Sequence, residues 1–113
     1  MKITLIILSI SILFVTSNKS IAEINYYEEG QKLFDKKDYE NAKFKFEQDI
    51  VFNPKNEKSY LYLSKIFKQQ NKNSLAENNL KTVLLLNPKN EDAIYNLALV
   101  KIKQSDFSET KKL

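Results

Sequence analysis

The residue types best suited to chemistry are two acid pairs, Glu28-Glu29 and Glu91-Asp92, and three tyrosines, Tyr27, Tyr62 and Tyr95. Paired carboxylates can divide acid and base roles between them, but they need further chemistry nearby. The chain of 113 residues contains no His and no Cys, so the commonest metal ligands, neutral-pH bases and thiol nucleophiles are missing. Phosphate-cradling loops need several glycines, and Gly30 stands alone. Both acid pairs fall at expected helix starts, where carboxylates complement the helix dipole. The residues therefore argue against an enzyme, with no catalytic group, cofactor or metal expected. The tyrosines remain as contact residues, because a phenol combines apolar area with a polar tip.

The elements that must position them follow from a repeat. Residues 53–57 read Asn-Pro-Lys-Asn-Glu, and residues 87–91 read the same, 34 positions later, in a chain with two prolines. Proline ends helices because it lacks an N–H and collides with the preceding turn. Each Asn-Pro follows an apolar run, and Asn56 and Asn90 are placed to cap the next helix, with Glu57 and Glu91-Asp92 in its first turn. A second turn is expected at Asn71-Lys72-Asn73, with Ser74-x-x-Glu77 as a capping box. The unit is thus a pair of antiparallel helices. In steps of 34, Tyr26, Tyr60 and Ile94 are all large, and Gly30, Ser64 and Ala98 are all small. Ala42 pairs with Ala76, and Phe46 with Leu80. Small residues let two helices approach, and large ones fill the space beside them.

This pattern resembles the tetratricopeptide repeat family, through Tyr60-x2-Leu63-Ser64-x2-Phe67, then Ala76-x3-Leu80, then Pro88. A first unit offers Tyr26, Gly30, Leu33, Ala42, Phe46 and Pro54, with Glu29 at an apolar position. A third begins with Ile94, Leu97 and Ala98 and then departs, with Lys101 for a large apolar residue and Thr110 for alanine. The resemblance implies an all-α fold of stacked helix-turn-helix units, a short right-handed α-solenoid of about 2.7 repeats. The units are 23–56, 57–90 and 91–113, the last ending partway through its second helix.

The family usually binds extended peptides in a concave groove lined by each unit's first helix. Transferred residue by residue, the groove takes Tyr27, Gln31 and Phe34 from the first unit, with Glu28 and Asp35 beside them. It takes Leu61, Tyr62, Lys65 and Lys68 from the second, and Tyr95, Asn96 and Leu99 from the third. Tyr27, Tyr62 and Tyr95 would form an aromatic strip, with Lys65 and Lys68 receiving an acidic or carboxyl-terminal ligand. The alternative is that Tyr27 and Tyr95 pack partly into the core and the lysines are ordinary solvated residues. The carboxylate-gripping set of one family subset is suggested only by Asn96, since Tyr27, Gln31, Tyr62 and Asp92 occupy its other places.

Residues 1–22 read as a secretory signal peptide: Lys2, an apolar stretch over 3–15, then Ser20-Ile21-Ala22 with cleavage expected between Ala22 and Glu23. As a helix the apolar stretch spans roughly 20 Å, short of the ~30 Å bilayer core. The alternative is an uncleaved inner-membrane anchor. Without Cys, helix packing alone must hold the fold after export. Removing the signal leaves 16 Lys against 14 acids and no Arg, which offers little to nucleic acid. The leading expectation is an exported adaptor or assembly factor, in a bacterial periplasm, that binds a peptide segment of another protein. The competing one is a structural protein that self-associates through an uncapped C-terminal repeat, where Phe107 and Leu113 leave an apolar face. Membrane contact is expected only during export or through an uncleaved segment.

Overall fold

A computed structural model describes residues 25–112. The expected signal peptide, its cleavage point at Ala22 and Glu23, and the apolar stretch 3–15 lie outside the described residues, as does Leu113. Five helices follow one another: α1 (Tyr26–Asp35), α2 (Tyr39–Phe52), α3 (Glu57–Gln69), α4 (Asn73–Leu86) and α5 (Glu91–Lys112). Among the described residues there is no strand, so the fold is all-α. Each helix packs on its neighbour in the chain.

Two kinds of turn alternate. At the Asn-Pro turns, Asn56 accepts from the Lys58 N–H at 3.3 Å and Asn90 from the Ala93 N–H at 2.9 Å, as the sequence predicts. At the other two turns a residue in the left-handed region closes the helix, Lys37 at φ 62° and Asn71 at φ 57°. They lie 34 residues apart, and each is followed by a matched bond, Asp38 N–H to Leu33 C=O and Lys72 N–H to Phe67 C=O, both 2.9 Å. This closure satisfies the last carbonyls of the helix and turns the chain sharply.

The same closure corrects the expected capping box. Helix α4 begins at Asn73, one residue before the predicted cap, and Lys72 precedes it with no side-chain cap. Ser74 is already inside the helix. Glu77 serves another purpose, since it is buried and takes 2.6 Å ion pairs from Lys81 and Lys101.

The core joins both helix pairs. Ala42, Phe46, Ile66, Ala76, Leu80, Val83 and Ala93 are fully buried. Gly30 and Ser64 are buried in register, as the small positions must be. At Gly30 an added Cβ would lie 2.7 Å from the Phe46 ring, which explains the glycine. Two of the three departures from the repeat pattern, the charged ones, are each answered by a charged partner on a neighbouring helix. Glu29 pairs with Lys45 at 2.6 Å, and Lys101 with Glu77.

The third unit differs from expectation. Helix α5 runs unbroken for 22 residues, so no separate second helix forms after the register position of Lys37 and Asn71. That position is Ser105, whose hydroxyl donates back to the Lys101 carbonyl at 3.0 Å and stays within the helix. With Thr110 where Ala42 and Ala76 stand, a folded-back segment would have no apolar stripe to bury. Ile94 and Ala98, in register with buried or half-buried residues above, are accordingly exposed.

Candidate functional site

Helices α1, α3 and α5 are joined along one face by side chains. On α1, Tyr27 and Gln31 are one turn apart and meet as neighbours. The Gln31 amide donates to the Tyr27 hydroxyl at 2.9 Å and to the Tyr62 hydroxyl on α3 at 3.3 Å. Each phenol therefore accepts one bond and keeps its own O–H for another acceptor.

Beneath these hydroxyls lies an aromatic cluster. The Tyr62 ring stacks on buried Phe46, with centroids 4.7 Å apart and planes 10° from parallel. Tyr27 and Phe34 meet Tyr62 edge-on at 6.1 and 5.0 Å, and Tyr39 meets Phe34 at 5.3 Å. Edge-on and offset contacts suit the ring quadrupole and add rigidity beyond area burial. Burial raises the Tyr27 phenol above its ordinary value, with Tyr62 and the Asp49 carboxylate adding to the effect. Its proton is therefore retained at neutral pH and beyond.

The two lysines are held across to α5. Lys68 donates to the Asn96 side-chain oxygen at 2.7 Å. Lys65 sits 5.5 Å over the Tyr62 ring and 3.8 Å from Asp92. A carboxylate ligand would have to compete with these partners, so the pair is less open to an acidic group than the bare sequence suggests. Leu61 is half-buried against the core, and Leu99 is more exposed.

Tyr95 does not join the strip. It is 65% exposed and has no ring partner among the described residues. Tyr27 and Tyr62 thus form a fixed aromatic floor, while Tyr95 stands free on the next helix. The expectation that Tyr27 packs partly inward fits, and the same expectation for Tyr95 does not.

One residue next to this face was not singled out from the sequence. Asp49 is buried and accepts from Asn53 at 2.9 Å, Asn56 at 2.7 Å and the Ser59 hydroxyl. Three neutral donors replace a cation around a buried carboxylate, which ties the end of α2 to the start of α3. The signal was its phase, since Asp49 continues the buried positions Ala42 and Phe46 at i+7 and i+3. Among the described residues no group of acids is arranged to hold a metal. No helix there is long and apolar enough to cross a membrane.

The face is thus a rigid, mostly neutral surface of phenols, amides and paired lysines, equipped to exchange hydrogen bonds and apolar contacts with a ligand. Comparison with models of protein families and with curated proteins finds no match to this chain.

Proposed function

We propose that this chain is a non-enzymatic protein-interaction module of the tetratricopeptide type, with its helix pairs stacked as a short right-handed α-solenoid. In this reading it is exported to a bacterial periplasm and acts as an adaptor or assembly factor. It takes an extended peptide segment of another protein along the face of α1, α3 and α5. The observation that carries the reading is the Gln31 bridge between Tyr27 and Tyr62, residues of two different units, 31 positions from amide to phenol. A bridge of this kind fixes two hydroxyls before any ligand arrives, which lowers the ordering cost of binding. Free phenol hydrogens suit backbone carbonyls of an extended ligand, and the aromatic floor suits its apolar side chains.

A photo-crosslinking residue at Tyr95 in living cells tests the face, with Phe44 on α2 as the control site. The expected adduct is one envelope protein, crosslinked from position 95 and not from 44. A peptide of the crosslinked segment should then bind the purified chain. Binding to Tyr27→Phe with Tyr62→Phe should be about five- to a hundredfold weaker, because two net hydrogen bonds of about 0.5–1.5 kcal/mol each are lost. Equal binding by that variant would sink the proposed face. Adducts with the chain itself favour the second reading, self-association, which rests on exposed Ile94 and Ile102 along α5.

A further inference from the structure

Helix α5 is apolar nearly all round: from Ala93 to Ile102 only Asn96 and Lys101 lack an apolar or aromatic side chain. A helix apolar on every side is a buried one. On one side Ala93, Leu97 and Val100 face the core and are buried or half-buried. The other side carries Ile94, Tyr95, Ala98, Leu99 and Ile102, all exposed, with Ile94 at 51% and Ile102 at 58%. In the two preceding units the position of Ala98 is covered by an antiparallel helix. Gly30 lies buried under Phe46 of α2, and Ser64 is buried on the helix that α4 packs against. Helix α5 runs straight past the corresponding turn, and no described helix returns onto Ala98.

Two features say which helix fits there. The first is symmetry. Ile94 and Ile102 stand four residues either side of Ala98, on one face, with the small residue midway between two branched ones. An antiparallel copy centred on Ala98 sets each Ile94 against its partner's Ile102, while the two alanines allow close approach. A two-fold contact demands this reciprocity, in which residue i meets j and j meets i. The second is charge. Asp92 and Lys103 are 11 residues apart, about three turns, so both lie on one flank of the stripe. The same pairing brings each Asp92 nearly level with its partner's Lys103, twice over, whereas a parallel pair would set like charge on like. Both groups can take part. Asp92 is only within 3.8 Å of Lys65, and Lys103 has two ammonium hydrogens besides the one given to Asn71.

We propose that α5 pairs with α5 of a second copy of the chain, antiparallel and crossing at Ala98, over residues 91–105. The pairing rests on the second reading above, self-association, and gives it an interface. The stripe is small beside the roughly 800 Å² per partner of a standard interface, so the pair is weak and reversible. Tyr27, Gln31 and Tyr62 take no part in it, so the peptide face stands or falls separately.

The absence of Cys makes the geometry readable. Ala98→Cys, Ile94→Cys, Ile102→Cys and, as control, Phe44→Cys each place one thiol at an exposed position of the full chain. A disulfide needs Cα atoms about 4.4–6.8 Å apart. Only position 98 meets itself across the two-fold, whereas two residues at 94 lie about 12 Å apart along the helix axes. Under mild copper–phenanthroline oxidation, Ala98→Cys should form a covalent dimer severalfold faster than any of the other three alone. An equimolar mixture of Ile94→Cys and Ile102→Cys chains should crosslink nearly as fast, to the mixed dimer. In sedimentation, the average mass of the wild-type chain should rise with concentration, and that of Ile102→Asp should not. A rising mass with equal crosslinking at 94, 98 and 102 would keep self-association and sink the antiparallel pair. A monomer at every concentration would sink both. A monomer whose thiol at 98 also resists maleimide would assign the stripe to residues 1–24 of the same chain instead.

Discussion

The pair α1–α2 and the pair α3–α4 share a backbone plan displaced by 34 residues, yet their interiors are chemically different. The first pair closes on Gly30 against Phe46, the second on Ser64 with Leu80 buried at the equivalent position. Where the first buries Asp49 among three neutral donors, the second buries Val83. Asp38 caps α2 through the Asn41 N–H, and Lys72 offers α4 no cap. A repeat therefore fixes where helices turn and which positions are inside, while each inside position is solved separately by its own neighbours.

The largest test exchanges the buried residue. Val83→Asp places a carboxylate at a fully buried site where Asn87 and Asn90 stand in register with two of the donors that serve Asp49, but Ala93 replaces the third, Ser59. The Asn87 amide is already given to Glu57 and the serine donor is missing, so the new charge is underpaired. A buried charge left without its partner costs about 3–5 kcal/mol, and the thermal midpoint by circular dichroism should fall sharply. Retention of a native-like melting curve would show that the two pairs are more alike than their interiors suggest.

Next in size is Gly30→Ala against Ser64→Ala. The new methyl at position 30 meets a buried ring already stacked on Tyr62, at 2.7 Å. Overpacking of about 1–3 kcal/mol outweighs the ~1 kcal/mol that alanine gains over glycine in a helix. Ser64 already has its Cβ, and its hydroxyl only returns to the Leu61 carbonyl, so its variant should stay near wild type in denaturant melts.

Lys72→Asp transplants the first pair's cap to the second. A missing cap of this kind is worth about 0.5–2 kcal/mol, and the midpoint of urea unfolding should rise. No rise would mean that solvent already serves the first N–H groups of α4 as well as a side-chain cap would.

The smallest effect is an acid-sensitive one, confined to the second pair. Lys101, then Lys81 and Gln104, hold the Glu77 carboxyl below its ordinary 4.5, at about 2. A carboxylate depressed in the folded state stabilises fully above about pH 4.5, and that contribution is lost as pH falls toward 2. NMR shifts of Val100 and Lys101 should move in that window, and Glu77→Gln should abolish the movement. The equivalent position of the first pair is Lys43, which supplies no carboxylate to titrate there.

The Asn-Pro turns and their caps were legible because their determinants are local: a missing N–H, an amide at the cap and an apolar run before it. The small positions Gly30 and Ser64 were legible through the period. The start of α4 was misread because Ser74-x-x-Glu77 matches a local motif, while the boundary is set by Asn71 in the left-handed region and Glu77 is drawn to α5. The unbroken α5 escaped for a related reason, since only the absence of a stripe to bury distinguishes it from its predecessors. On the candidate face, the nearness of Tyr27 and Tyr62 followed from the resemblance, which sets both on first helices of successive units, and helical spacing added only that Tyr62 lies beside Leu61, Lys65 and Lys68. The bonds of Lys65 and Lys68 to α5 depend on how units stack, which no single helix reveals. Asp49 escaped because an acid in core phase reads as an exception until its three donors are seen together.

At 22 residues α5 is about 33 Å long, against about 20 Å for the helices it lies beside. Lys103 still reaches Asn71 at 2.8 Å, but beyond it every described residue save Gln104 is exposed. The final two turns thus have almost nothing but their own hydrogen bonds to hold them, and helix that short is marginal in water by itself. Amide hydrogens there should exchange through local opening, at rates insensitive to mild denaturant, while those near Val100 exchange only with the whole fold. The molecule therefore carries its own internal gradient of protection along one continuous helix, from cooperative to independent.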